Sequence, residues 1–153
     1  MIHNQNGETG KWIELLKNAN NKKLSEIENK LIEKRMSWFY ANPTLIKELK
    51  GNVLEKAYHL LLLKIGIDEK DVPIVERSEK RIVFHSRNHC PVLEACQKLG
   101  LDTRLICKTL FEKPTDILIK KLSPELKFSR DYDLIRPYTD FCEEMITLEE
   151  KND

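Results

Sequence analysis

Between Lys11 and Gly66 the apolar residues return every third or fourth position, the period of an amphipathic helix. Trp12, Leu15 and Leu16 predict a short helix over 11–18. Leu24, Ile27, Leu31 and Met36 predict a long one over 23–40, ending in Trp38, Phe39 and Tyr40. Asn18-Ala19-Asn20-Asn21 forms the turn between them. Asn42-Pro43 has the form of a helix start, with Asn as cap and Pro in the first helical position. The stripe Ile46, Leu49, Val53, Ala57, Leu60 and Leu61 predicts a third helix running unbroken to about Ile65, closed by Gly66. Residues 1–9 are polar and read as a flexible tail.

Beyond a charged loop at 68–71 the period changes to two. Residues 73–77 and 81–86 read as paired strands around Ser78-Glu79-Lys80. Cys90-Pro91 opens a helix that ends at Gly100. Asp102 caps another over 103–113, and Pro114-Thr115 begins a short one reaching Leu122. Residues 126–132 and 140–148 alternate as two further strands, and 149–153 read as a frayed acidic end. Helices, hairpin, helices, hairpin is the order of an α+β domain. The expectation is a single domain over 1–153. Its helical part is 10–66 and its α+β, ligand-binding part 73–148, with the helices packed on one antiparallel sheet of about four strands.

Composition narrows the function classes. The chain has 153 residues, 41% of them hydrophobic and 33% charged, enough for one core without disulfide staples. The net charge is +1 and basic residues divide evenly between the two halves, which argues against a nucleic-acid partner. The run Leu60-Leu61-Leu62-Leu63 is too short to span a bilayer, and the N-terminus lacks a signal-peptide core, so the expectation is a cytoplasmic protein with no membrane partner. Four reduced thiols there are core residues, metal ligands or reactive groups before they are disulfides.

Cys90 is the chemical lead. At the start of a helix its sulfur sits beside unpaired N–H groups, a setting that favours a thiolate. His89 and His85 are near in sequence, and Glu94 is one turn further on. Cys90 with Glu94 and His89 forms a candidate catalytic set for thiol-dependent hydrolysis. Cys90, Cys107 and Cys142 form a candidate metal set, with zinc or iron as the ion. Cys96 faces away from Cys90 and reads as core. His3 lies in the tail and His59 at the edge of an apolar stripe. On the 126–132 strand Arg130 shares a face with Leu126, Phe128 and Tyr132, which carries a cation inward. Pairing with Glu144 and pairing with an anionic ligand are the two solutions. Arg136 and Tyr138, in the following connection, could add a bidentate donor and a hydroxyl. Arg130, Tyr132, Arg136, Tyr138 and His85 are thus the candidate ligand-binding residues, and a small anionic molecule the candidate ligand.

The progression Cys90-Pro91, Glu94, Gly100, Cys107, Pro124 and Cys142 resembles the L-2-amino-thiazoline-4-carboxylic acid hydrolase-like family. More distantly, it is similar to the 4-vinyl-reductase-type ligand-binding domains. The resemblance covers residues 82–148 and carries over to Cys90, Glu94, Cys107 and Cys142. It implies an α+β fold and either hydrolytic opening of a small sulfur-containing ring or the holding of a ligand or metal. A non-catalytic sensor on the same fold is the alternative, with the N-terminal helices as a candidate homodimer contact.

Overall fold

The computed structural model describes residues 5–149. Helix α1 spans Gln5–Leu16, α2 Asn21–Ala41, α3 Pro43–Lys47 and α4 Val53–Ile65. Strands β1 (Ile74–Arg77) and β2 (Arg81–Ser86) follow, then α5 (Pro91–Leu99). Helix α6 (Thr103–Cys107) passes through a π-type turn at Lys108–Glu112 into α7 (Lys113–Lys120). Strands β3 (Leu126–Arg130) and β4 (Cys142–Leu148) complete one four-stranded antiparallel sheet of order β1-β2-β4-β3. The α+β class read from the periodicity is the observed one. No described helix is long and apolar enough to cross a membrane.

Three elements differ from expectation. Helix α1 begins at Gln5, so the described part of the expected tail is helical. Its Thr9 is 3% exposed and donates to Glu94 Oε2 at 2.7 Å, a tertiary contact with no local signature. His3 and the end of the acidic tail lie outside the described residues. The expected third helix is two helices. Gly51 adopts φ +98°, and a Cβ there would stand 2.8 Å from Glu55 Oε2. Asn52 then caps α4, its side chain accepting from the Glu55 N–H at 2.9 Å. Pro114 lies in the first turn of α7, and the helical path runs through it from α6 by way of the widened π-type turn.

Two apolar cores result. The first gathers Leu54, Tyr58, Leu61, Phe84, Leu118 and Ile146 from α4, the sheet and α7. The second gathers Leu16, Ile27, Val92, Cys96, Ile106 and Leu110 from α1, α2, α5, α6 and the π-type turn. Helix α2 serves both: Leu24 and Ile27 enter the second, while Met36, Trp38 and Phe39 pack on the first.

Candidate functional site

The inner face of the sheet changes character row by row. Ile82, Ile146 and Phe128 are neighbours across three strands; Phe84, Glu144 and Arg130 form the next row; Ser86 and Cys142 pair in the row after. Strand alternation places all of these on one side, so the sheet grades from an apolar end to a polar, sulfur-bearing end. Tyr132 follows just beyond β3.

Glu144 anchors the polar end. It is 9% exposed, and its Oε1 accepts from Arg130 Nε at 2.9 Å and from Nη2 at 2.8 Å. Its Oε2 accepts from the Ser86 hydroxyl. The internal ion pair is therefore how Arg130 is neutralised. Burial pulls the Arg130 guanidinium down, but the Glu144 carboxylate more than reverses this and holds it above its ordinary value. Among the described residues two buried side-chain atoms remain unmatched: Arg130 Nη1 and Tyr132 Oη have no hydrogen-bond partner. They belong to one locality. Burial pushes the Tyr132 phenol up while the Arg130 guanidinium beside it draws it down, although the two groups do not meet in hydrogen-bonding geometry.

Arg35 is a member of this neighbourhood that sequence reasoning missed. Its Nη1 donates to the Thr115 hydroxyl, which donates in turn to the Phe111 carbonyl at 2.7 Å. Burial pushes the Arg35 guanidinium down to about 10; Arg130 adds to the shift and Glu144 opposes it. Two guanidiniums thus lean on one carboxylate. A signal was available, because Arg35 stands one turn from both Leu31 and Phe39, on the packed side of α2.

The thiols do draw together. Burial pushes Cys107 up to about 12, eased by Arg130 and reinforced by the nearby sulfurs of Cys90, Cys142 and Cys96. Cys90 is the N-cap of α5, as expected, but its thiol is pushed up rather than down. Burial pushes it up and outweighs the Leu93 N–H and Arg136, which pull it down, because partial helix-end charge is weaker than the loss of water. Cys96 is fully buried core, pushed up to about 11 by burial. Among the described residues no group of three His, Cys, Asp or Glu side chains is arranged to hold a metal ion. The Cys90, Cys107 and Cys142 set accordingly does not fit zinc or iron.

The other candidates fall into three places. Glu94 is held by Thr9 and by His89, whose Nδ1 stands 3.3 Å from Oε1, so this carboxylate ties α1 to α5. The titratable neighbours that bear most on Cys90 are Arg136 and Cys142. His85 lies on the opposite face of the sheet, its Nε2 3.1 Å from Glu143 Oε1 and its ring stacked on Phe141 at 3.9 Å. Tyr138 is half exposed; its hydroxyl donates to Asp102 at 3.2 Å and its ring lies under Arg104. Arg136, by contrast, reaches the thiols. Its backbone N–H and its Nε both donate to Cys142 Sγ at 3.4 Å, and its Nη1 donates to the Asn88 carbonyl at 2.6 Å. Thr103 fixes the Arg136 carbonyl from the start of α6 at 2.8 Å.

A separate concavity of about 370 Å³ lies between α1 and α2, floored by Trp12, Leu15, Ile27 and Leu31 and rimmed by charged residues, mostly lysines. Comparison of the chain with protein-family models, with curated proteins and with solved structures returned no match.

Proposed function

We propose that this chain is a small-molecule-binding domain and that its ligand is a small carboxylate, seated at the polar end of the sheet against Arg130, Tyr132 and the thiols. The observation that carries the reading is the pair of buried, unmatched atoms, Arg130 Nη1 and Tyr132 Oη. A buried donor without a partner costs about 1–3 kcal/mol, and native interiors rarely keep one without a reason. A carboxylate oxygen accepts from a guanidinium N–H and a phenol together. Arg35 favours the same outcome, since it adds a second cation within reach of the Glu144 carboxylate that Arg130 already uses. The resemblance to thiazoline carboxylate hydrolases points to the same ligand class, and hydrolytic ring opening beside a thiol is the catalytic form of the proposal.

The test is a thermal and calorimetric titration with 2-amino-thiazoline-4-carboxylate, with simple small carboxylates and with their amides. A carboxylate at about 100 times its dissociation constant adds about 2.7 kcal/mol of stability. For a chain of this size that raises Tm by roughly 5–10 °C. The amides leave Tm unchanged. Tyr132→Phe weakens carboxylate binding roughly tenfold or more, the value of a hydrogen bond to a charged group. It changes the stability of the free protein little, because the hydroxyl it removes completes no hydrogen bond among the described residues. Carboxylates without effect at millimolar concentration would refute the proposal. Turnover of the thiazoline, followed by the release of a free thiol, separates an enzyme from a sensor.

A further inference from the structure

Cys142 stands apart from the other three cysteines. Two N–H groups are aimed at its sulfur, one from the Arg136 backbone and one from the Arg136 guanidinium, each at 3.4 Å. Neither donor is free to swing away, because Asn88 holds the guanidinium and Thr103 holds the Arg136 carbonyl. Paired N–H groups and a fixed cation around a half-buried cysteine are the surroundings in which cysteines act as nucleophiles. Cys90, Cys96 and Cys107 lie in surroundings that oppose this, each pushed up by burial. Cys142 is also placed relative to the unmatched donors. It lies two residues before Glu144 on the same face of β4, and Glu144 is the partner of Arg130. One such step along a strand is about 7 Å, roughly the span of a small molecule carrying a carboxylate at one end and sulfur at the other.

We propose that Cys142 is a site of thiol–disulfide exchange and that its substrate class is a small disulfide bearing a carboxylate. This rests on the carboxylate-binding reading for its anchor. In the exchange the Cys142 sulfur attacks one sulfur of the disulfide. A new S–S bond forms to Cys142 and the original S–S bond breaks. The departing thiolate takes up a proton equal to the one Cys142 released, so no further oxidant is needed. The product is Cys142 in mixed disulfide with one half of the substrate, its carboxylate held by Arg130 and Tyr132.

The experiment uses the folded, reduced chain and two disulfide reagents, the anionic dithiobis(nitrobenzoate) and the uncharged dithiodipyridine. Rates are followed by released chromophore, and the modified residue is mapped by peptide mass spectrometry. The expected result is one fast thiol, mapping to Cys142. The fast phase slows roughly tenfold or more in Cys142→Ser and persists in Cys90→Ser. The anionic reagent gains rate over the uncharged one on folding, and Tyr132→Phe reduces that gain. A fast phase mapping to Cys90, Cys96 or Cys107 overturns the proposal, as does an anionic-to-uncharged rate ratio equal to that of the unfolded chain. Mapping on the unmutated protein keeps the result decisive if Cys142→Ser fails to fold. If inert carboxylates bind as proposed but Cys142 reacts slowly, only this inference falls. If they do not bind, the reading beneath it falls first.

Discussion

The cysteines differ from one another through water and charge rather than through sequence position. Cys107 and Cys96 have their thiols pushed above the ordinary value of 9.0, to about 12 and about 11. Above that ordinary value the unfolded chain has released protons that the folded chain still holds. Stability from these thiols is therefore complete below about pH 9 and is lost as the pH climbs toward 11 and 12. Urea midpoints measured from pH 8 to 11 should fall at the alkaline end, and Cys107→Ala should fall less steeply from its own pH 8 value. The Arg130–Glu144 pair allows a second prediction. Glu144→Gln strands a buried guanidinium and the Ser86 hydroxyl, and should cost about 3–5 kcal/mol in urea unfolding. Arg130→Met with Glu144→Leu should recover most of that loss while abolishing carboxylate binding. This would separate what the pair does for the fold from what Arg130 does for a ligand. The pair itself was legible beforehand, because alternation along β3 and β4 carried a cation and a carboxylate inward together. The half-burial of Cys90 was not, since the helix start announces the N–H groups around the sulfur but not its packing against the second core.

Among the elements, helix ends were the most readable features. Gly66 and Gly100 both take the left-handed conformation that closes α4 and α5, and Cys90-Pro91 opens α5. The break between α3 and α4 was hidden because Leu49 and Val53 keep the apolar stripe going across it. The local preferences of Gly51 and Asn52 outweigh that stripe. Gly51→Ala must place a Cβ against Glu55 in a backbone region that side chains avoid, and Asn52→Ala removes the α4 cap at a cost of about 1 kcal/mol. The former should lower Tm more than the latter in a thermal melt. The start of α1 had no local signal of either kind. Thr9 is buried where its hydroxyl donates a hydrogen bond to Glu94 of α5, a long-range contact. Glu94 is 41% exposed, so water can partly replace the lost donor, and Thr9→Val should cost about 1 kcal/mol rather than the full value for a charged hydrogen bond.

At the scale of the whole molecule, the proposed carboxylate site lies where the two cores meet. Arg130, Glu144 and Ser86 come from the sheet, Cys107 and Thr115 from the α6–α7 segment, and Arg35 from α2. No stretch of sequence contains that set, which is why reading from Cys90 onward found half of it and left out α2. The same helix has a further consequence. Its first half joins the core that holds α1 and α5, and its second half packs on the core that holds α4, α7 and the sheet. Neither core can open without exposing one end of a single 21-residue helix. Amide hydrogens in the middle of α2 should then exchange with deuterated water only through global opening, and at the slowest rate in the molecule. The two cores would share one exchange free energy, so the protein behaves as one cooperative unit where its packing alone suggests two.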